Sequence, residues 1–197
     1  KAIETVVFPS FLECAPINSK FRIWSAASST GQEALSLSML ISEWNQKNGN
    51  KLSYSIFGTD ISDRALQRAK AAEYSQLEIQ RGLPAPMMIK YFKKDIKDKW
   101  AASSDLTKCT DFQSLNLKEN FNFPNEFYLI LCRNVLIYQS VPSKIDIIKR
   151  MTQKLQPGGF LILGSGESLM GLSNDFDQVS ADGVVVYRKK QFKAKAA

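Results

Sequence analysis

Three short polar segments, each placed directly after a predicted strand, carry the residues that could do chemistry. The first, 26–33 (AASSTGQE), runs from small residues through Gly31 to Glu33. Small residues let a ligand approach the backbone, and the start of a following helix offers free N–H groups. Gly31 stands alone and no Walker lysine follows, which disfavours a dinucleotide or triphosphate and favours an amino-acid-like ligand tail. The same pattern also fits a purely structural turn.

Asp60 and the segment 133–138 (RNVLIY) are the second and third polar segments. A carboxylate at the end of a strand, like Asp60, can accept hydrogen bonds from both hydroxyls of a ribose. Alternatively, Asp60 caps the helix predicted to begin near Asp63. Asn134 and Tyr138 follow the most apolar strand and could face a reacting group, although a simple cap with Tyr138 as a packing residue fits as well.

The sequence contains no histidine, which restricts the possible reactions. Histidine-dependent triads, dyads, general bases and zinc sites are excluded. The cysteines Cys14, Cys109 and Cys132 are odd in number and include no Cys-x-x-Cys pair. We therefore expect neither a disulfide framework nor a metal site. The same cysteine usage favours a protein that resides in the reducing cytoplasm. Any enzyme built from this chain must perform a reaction that needs no imidazole.

Strands and helices alternate in the elements that would position these segments. An apolar strand over 21–27 precedes a helix whose apolar residues repeat at helical spacing, and a second strand over 52–60 precedes a helix capped by Ser62. A buried strand over 126–132 precedes an amphipathic helix that Pro157-Gly158-Gly159 should end, followed by a buried strand over 160–163. The apolar positions of the two helices are Leu37, Leu40, Ile41 and Trp44, and Val141, Ile145, Ile148, Met151 and Leu155.

This alternation predicts an α/β fold with a doubly wound, mostly parallel sheet. The segments 176–179 and 183–187 predict an antiparallel C-terminal hairpin, and the Lys-rich segment 92–112 predicts a small inserted hairpin. With 197 residues, 44% of them hydrophobic, the chain fits one globular domain with a small insertion. No apolar run approaches the roughly 18 residues of a membrane span, and no signal peptide is visible.

The net charge of +7 could favour nucleic acid, an acidic membrane surface or an acidic protein partner. Part of this charge lies in the basic tail over 191–197, which could instead be a solvated chain end.

Six segments, in order, resemble the catalytic domain of the CheR family, the bacterial chemoreceptor glutamate methyltransferases that use S-adenosylmethionine. The resemblance spans roughly 21–188; RNVLIY is its most specific part, whereas the Pro-Gly-Gly turn is common to many methyltransferases. The matching segments are 24–33 (WSAASSTGQE), 58–62 (GTDIS), 114–117 (SLNL), 132–138 (CRNVLIY), 155–159 (LQPGG) and 163–169 (LGSGESL).

The resemblance implies a Rossmann-like class I methyltransferase fold over 21–190, preceded by an N-terminal remnant or linker over 1–20. It implies methyl transfer from S-adenosylmethionine to glutamate carboxylates of the cytoplasmic domain of chemoreceptors, leaving S-adenosylhomocysteine. It also implies a cytoplasmic protein that binds no nucleic acid and does not insert into the membrane.

The resemblance further implies roles for individual residues. Ala27 and Glu33 would border the methionine part of the cofactor, and Asp60 would hold its ribose. Asn116 and Leu117 would lie beside the adenine, and Arg133 and Asn134 would line the pocket next to the substrate. Tyr138 would stand near the methyl group. Thr5, in the segment 4–8 (ETVVF), resembles the remnant of a Thr-x-Phe-Phe-Arg cofactor element.

Methyl transfer to a carboxylate suits a chain without histidine, because a glutamate with a pKa near ~4.3 is already ionised at neutral pH. Two alternatives remain open. The basic charge suggests a nucleic-acid methyltransferase, although the Asp/Asn-Pro-Pro-Tyr/Phe element used for base flipping is absent from the sequence. The second alternative is a non-catalytic sensor that binds the cofactor. It is suggested by two departures from the family: the arginine of the N-terminal cofactor element is Pro9 or absent here, and the family's helical N-terminal domain is missing.

Overall fold

A seven-stranded sheet with helices on both faces forms the body of the protein, in a computed structural model that describes residues 1–49, 51–95, 98–123 and 126–191. The strands of this sheet and of a second, smaller one are, in chain order, β1 (Lys20–Ala26), β2 (Ser53–Asp60), β3 (Glu73–Tyr74), β4 (Phe92–Lys94), β5 (Trp100–Ala102), β6 (Thr110–Ser114), β7 (Phe127–Cys132), β8 (Leu155–Leu163), β9 (Phe176–Ala181) and β10 (Val184–Lys189). Its α-helices are α1 (Phe8–Cys14), α2 (Gln32–Asn48), α3 (Asp63–Ala71), α4 (Gln76–Gln80), α5 (Ala85–Tyr91), α6 (Ser104–Thr107) and α7 (Val141–Lys154). Two short turns of helix are π-helical (Ile3–Val7) and 3-10 (Leu136–Tyr138).

The main sheet has the strand order β6-β2-β1-β7-β8-β10-β9. The first five strands in that order run parallel, and β10 pairs antiparallel with both β8 and β9. The predicted doubly wound sheet with an antiparallel C-terminal hairpin is therefore confirmed. Since the carboxyl ends of β1, β2, β6, β7 and β8 meet at one edge, the polar segments that follow these strands are brought together there.

The two faces of the sheet carry separate apolar cores. On one face, α1, α2 and α3 pack through residues such as Phe8, Ile41 and Leu66. On the other, α7 packs through Ile148 and Met151. All six residues of β7 are buried, as a strand covered on both faces requires.

Residues 1–20, expected to be a remnant or linker, contain a helical segment that belongs to the first core. Val7 and Phe8 are fully buried, and Phe11 packs edge-on against Phe21 of β1. Pro9 follows the π-helical turn Ile3–Val7, which runs into α1 without a break, so this proline stands inside one continuous helical segment.

The expectation that Pro157-Gly158-Gly159 ends α7 was wrong. The helix ends at Lys154, and β8 begins at Leu155. Phe127 pairs with Leu155 but Leu129 pairs with Phe160, so the Pro-Gly-Gly segment forms an irregular bulge within the strand. Gly158, with a φ of 75°, supplies the left-handed backbone that this bulge contains.

A small antiparallel sheet, β3-β5-β4, forms the predicted inserted subdomain. Part of the segment 92–112 is the expected hairpin, because β4 pairs with β5, but residues 110–112 belong to β6 of the main sheet. The subdomain also contains α4 and α5, which precede that hairpin. Residues 96–97 of the hairpin and 192–197 of the basic tail lie outside the described residues. No helix among the described residues is long and apolar enough to cross a membrane.

Candidate functional site

The loop between β1 and α2 has an unusual backbone at the carboxyl edge of the sheet. Ala27, Ser29 and Gly31 have positive φ values of 64°, 50° and 90°. Left-handed backbone is unfavourable for residues with a side chain, and such strain is concentrated at functional sites in proteins. The Ser28 hydroxyl is buried and has no hydrogen-bond partner within the described chain. This loop therefore combines a strained backbone with a polar group that the protein leaves unsatisfied.

Gly31 is required by the close packing of this loop against α3. A Cβ at Gly31 would lie 2.9 Å from the Cβ of Ala69, closer than carbon atoms approach each other. The Tyr74 hydroxyl, on the inserted subdomain, donates a 2.9 Å hydrogen bond to the Thr30 carbonyl. Burial raises the pKa of Tyr74 to about 12, so this hydroxyl keeps its proton at neutral pH. Helix α3 and the inserted subdomain thus fix the loop from one side.

Asp60 connects the β1 loop to the loop after β2. Its Oδ2 accepts a 2.8 Å hydrogen bond from the Ser29 N–H, and its Oδ1 accepts a 2.9 Å bond from the Ser62 N–H. The cap of α3 is Ser62, as predicted, because its hydroxyl accepts the Ala65 N–H. The alternative of Asp60 as the cap is therefore wrong. Each carboxylate oxygen retains acceptor capacity for a further donor.

Glu33 and Arg133, two predicted cofactor residues, are in direct contact. The Glu33 carboxylate accepts a 2.7 Å hydrogen bond from the Ser25 hydroxyl and lies 3.0 Å from Nη1 of Arg133. The Glu33 side chain is 20% exposed and that of Arg133 47% exposed. The pair joins α2 to the loop after β7 and places opposite charges side by side at the edge of the sheet.

Asn116 lies at the end of β6 and lines a cleft of about 430 Å³ together with Ile61 and Phe123. Ile61 directly follows Asp60, and Leu115, which also lines the cleft, donates a 3.0 Å hydrogen bond from its N–H to the Asp60 carbonyl, so the backbone of Asp60 adjoins this cleft. Leu117, predicted beside the adenine, is buried in the core cluster that contains Trp24 and Phe121, and its assigned role stays a prediction.

Glu167, which the sequence analysis assigned no role, organises the other half of the edge. Its carboxylate accepts backbone hydrogen bonds from Gly164 (2.8 Å), Asn134 (2.8 Å), Val135 (3.0 Å) and Ile137 (3.1 Å). A Cβ at Gly164 would lie 2.7 Å from Oε2 of this carboxylate, so only glycine fits there. Glu167 thereby fixes the loop after β7 to the loop after β8 and holds Asn134 at its positive φ of 59°. Since these donors come from two separate loops, no local sequence signal identifies this role.

Tyr138 and Thr5 lie on other segments of the chain, Tyr138 in the loop after β7 and Thr5 in the N-terminal helical segment. Tyr138 ends the 3-10 turn and is 78% exposed. The Thr5 hydroxyl donates to the Lys1 carbonyl (3.3 Å) and to Asp182 in the β9–β10 turn (3.5 Å). Its neighbours Lys1 and Ile3 line a cleft of about 700 Å³ that Arg133 also lines. The assigned roles of Tyr138 and Thr5 stay predictions.

Comparison with known proteins identifies the family. The family model described as "CheR methyltransferase, SAM binding domain" matches residues 1–185. Chemotaxis protein methyltransferase Cher2 of Pseudomonas putida is 35% identical over 192 residues, covering 96% of this chain and 70% of that protein. Chemotaxis protein methyltransferase 1 of Pseudomonas aeruginosa is 39% identical over 173 residues, covering 87% of this chain and 63% of that protein. The chain thus spans about two thirds of the length of these relatives.

Solved structures confirm the fold. The TehB-like SAM-dependent methyltransferase of Corynebacterium glutamicum superposes with a TM-score of 0.52 at 14% identity, covering 92% of this chain and 86% of that one. The N-methyltransferase NodS of Bradyrhizobium japonicum, solved with S-adenosylhomocysteine, gives a TM-score of 0.52 at 15% identity, covering 95% of this chain and 86% of that one. The family match confirms the predicted methyltransferase class and the S-adenosylmethionine cofactor: the chain belongs to the CheR methyltransferase family and contains its SAM-binding domain.

Proposed function

We propose that this chain, in the cytoplasm, methylates glutamate side chains in the cytoplasmic domain of a chemoreceptor. The methyl donor is S-adenosylmethionine and the products are a glutamate methyl ester and S-adenosylhomocysteine. One observation supports this most strongly: Asp60, the Glu33–Arg133 pair and Asn116 lie at the carboxyl ends of neighbouring parallel strands, the edge at which α/β sheets bind nucleotides. The relatives in Pseudomonas putida and Pseudomonas aeruginosa are named as chemotaxis protein methyltransferases, which supports a role in chemotaxis.

The residues at this edge fit a nucleoside with an amino-acid tail. Asp60 retains acceptor capacity for ribose hydroxyls, and the adjoining cleft at Asn116 offers space for a base. Glu33 and Arg133 offer one negative and one positive group to a zwitterionic amino-acid end. The unpartnered Ser28 hydroxyl lies in the same loop as Ala27 and gives a bound ligand one further polar contact. These features support the assigned cofactor roles of Ala27, Glu33, Asp60, Asn116 and Arg133.

The bound cofactor supplies a methyl group made electrophilic by its positively charged sulfur. The protein's own residues have to hold the acceptor carboxylate in line with that methyl group and to exclude water. The acceptor needs no base, because it is ionised at neutral pH. Burial raises the pKa of the Cys132 thiol beside this edge, so the thiol stays protonated and does not compete as a nucleophile.

Tyr138 would act on the acceptor side by position and hydrogen bonding. Its hydroxyl has no hydrogen-bond partner among the described residues and its ring is largely exposed. The Glu167 carboxylate fixes the backbone at Ile137, directly before Tyr138. The tyrosine is therefore presented from a firmly held backbone, ready to contact a second molecule.

A labelled-methyl transfer assay tests this proposal. The chain is incubated with S-adenosylmethionine carrying a tritiated methyl group and a soluble cytoplasmic fragment of a chemoreceptor. We expect label on the fragment that mild alkali releases as methanol, since alkali hydrolyses a carboxyl methyl ester but not an N-methyl group. A fragment whose acceptor glutamates are all replaced by alanine is the control.

Other results would select a different function. Transfer to nucleic acid would support the nucleic-acid methyltransferase, and cofactor binding without transfer to any receptor fragment would support the sensor.

A further inference from the structure

One face of α7 changes from buried to exposed along its length. Val141, Ile145, Ile148 and Thr152 follow one another at spacings of four, three and four residues, so they share a face of the helix. Ile148 is fully buried and Thr152 is 9% exposed, whereas Val141 is 58% and Ile145 41% exposed. The buried apolar face of this helix therefore continues into an exposed part that no other described residue covers.

The exposed end of this face lies at the functional edge of the sheet. Helix α7 follows β7 and leads back into β8, which runs parallel to β7, so the helix begins at the carboxyl edge of the sheet. The 3-10 turn before it adds Ile137, 46% exposed, and Tyr138, 78% exposed. We name Ile137, Tyr138, Val141 and Ile145 the apolar stripe. Four large apolar side chains exposed within nine residues differ from the scattered apolar residues of an ordinary surface.

The charges beside the apolar stripe are positive. Lys144 lies three residues after Val141, and Lys149 lies four residues after Ile145, so both adjoin the stripe on the helix surface. Among the described residues, neither lysine forms an ion pair. The acidic side chain on this helix, Asp146, is paired with Arg150 at 2.7 Å. The stripe therefore presents apolar surface flanked by two unpaired positive charges.

We propose that the apolar stripe is the docking surface for the acceptor protein, and that it binds an acidic segment with apolar residues beside the methylated glutamate. This inference rests on the proposed function and adds the surface that binds the acceptor. Apolar residues of the segment cover Val141 and Ile145, and its carboxylates lie near Lys144 and Lys149. The methylated glutamate then lies next to Tyr138.

Substitution of the stripe tests the proposal. In the doubly substituted variant V141S/I145S, we expect about a tenfold increase in both the KM and the dissociation constant for the receptor fragment, because apolar contact area is lost. The affinity for S-adenosylhomocysteine, measured by calorimetry, should stay unchanged. The matched control is L77S/I89S, which removes two apolar side chains that are 77% and 74% exposed on α4 and α5 of the inserted subdomain. This control should leave all three values unchanged.

A charge reversal gives a second, independent measurement should the double variant be unstable. K149E should weaken fragment binding several-fold at low salt, with the difference shrinking as salt is added. An unchanged affinity for the fragment in both V141S/I145S and K149E would overturn the docking proposal. A change of oligomeric state in V141S/I145S with fragment binding intact would also overturn it, since the stripe would then join two copies of this chain.

Direct binding separates this inference from the proposed function. If the wild-type chain binds the fragment through the stripe but transfers no methyl group, the docking proposal stands and the proposed function fails. If methyl is transferred but the stripe variants keep the wild-type KM and affinity, the docking proposal fails alone.

Discussion

The carboxyl edge of the sheet has two halves that are built differently. Around β1 and β2, the side chains of Asp60, Glu33 and Ser25 are tied into hydrogen bonds within the protein. Around β7 and β8, the backbone is held by Glu167, whereas the side chains of Ile137 and Tyr138 extend into solvent. The first half is therefore held mainly through side-chain hydrogen bonds, with the Ser28 hydroxyl left without a partner among the described residues, whereas the second half is held through its backbone.

This difference matches the proposed ligands, which are a small cofactor for the first half and a protein acceptor for the second. A small cofactor is held best by groups that are already oriented, because little ordering then occurs on binding. A protein acceptor brings its own side chains and can cover apolar surface that this chain leaves exposed. We therefore interpret the β1–β2 half as preorganised for the cofactor and the β7–β8 half as awaiting a macromolecule.

The largest effect on stability is expected from the support of the second half. In E167Q, a side-chain amide faces backbone N–H groups that now lack an acceptor, so we expect a loss of about 2 kcal/mol in the free energy of unfolding. Urea denaturation at pH 7 measures this loss. The control, E13Q, changes an exposed carboxylate on α1 and should stay within about 0.5 kcal/mol of wild type. Equal stabilities of E167Q and E13Q would contradict the role assigned to Glu167.

Substitution of Asp60 examines the first half. D60A should weaken S-adenosylhomocysteine binding by about 1–3 kcal/mol, because charge-assisted hydrogen bonds are lost. Calorimetry measures the dissociation constant, with D63A, in the first turn of α3, as the control. The ribose role of Asp60 would be wrong if D60A kept the wild-type dissociation constant.

Removal of the Tyr138 hydroxyl should affect turnover more than binding. In Y138F we expect kcat to fall by about tenfold, as for the loss of one hydrogen bond in the transition state. The affinity for S-adenosylhomocysteine and the stability should not change, because the side chain is 78% exposed. Steady-state kinetics with the receptor fragment provide the test, and equal losses in kcat and cofactor affinity would contradict the placement of Tyr138 beside the methyl group.

The smallest effect concerns neither half and serves as a reference. Hydrogen bonds from the Ser75 backbone and the Arg68 guanidinium lower the pKa of Glu78, in the inserted subdomain, from 4.5 to about 2. Because the folded value is the lower one, Glu78 stabilises the fold above pH 4.5, and this contribution is lost as the pH falls towards 2.

E78Q should therefore be slightly less stable than wild type at pH 7, and the difference should shrink in the acid range. Urea denaturation at several pH values checks this, with E73Q as the control in the same subdomain. A difference between E78Q and wild type that stays constant with pH would show that the charge of Glu78 is not involved.

Local sequence patterns predicted most of the helices and strands. They could not predict the features that depend on how distant segments pair. The buried strands, the Ser62 cap and the C-terminal hairpin follow from residue type and spacing. The Pro157-Gly158-Gly159 bulge does not, because it depends on which residue of β7 pairs with Leu155. Likewise, helical periodicity places Val141 and Ile148 on one face, but only the structure shows that Val141 is exposed and Ile148 is buried.

The candidate site was predictable to a similar degree. Asp60, Glu33, Arg133 and Asn116 follow strands or a turn and lie at the expected edge. The position of Leu117 in the core, the contacts of Thr5 with the β9–β10 turn and the four hydrogen bonds of Glu167 all depend on segments distant in sequence. Residue types and their spacing along the chain therefore do not predict such contacts.

Backbone amide NMR during titration with S-adenosylhomocysteine tests most directly whether the β1–β2 half binds the cofactor. We predict that the amide signals of 27–31, 60–62, 116–117 and 133–134 shift together and saturate with one dissociation constant, while those of α4 and α5 do not move. Saturable shifts confined to other parts of the chain, with the signals of 27–31 and 60–62 unchanged, would contradict the proposed site.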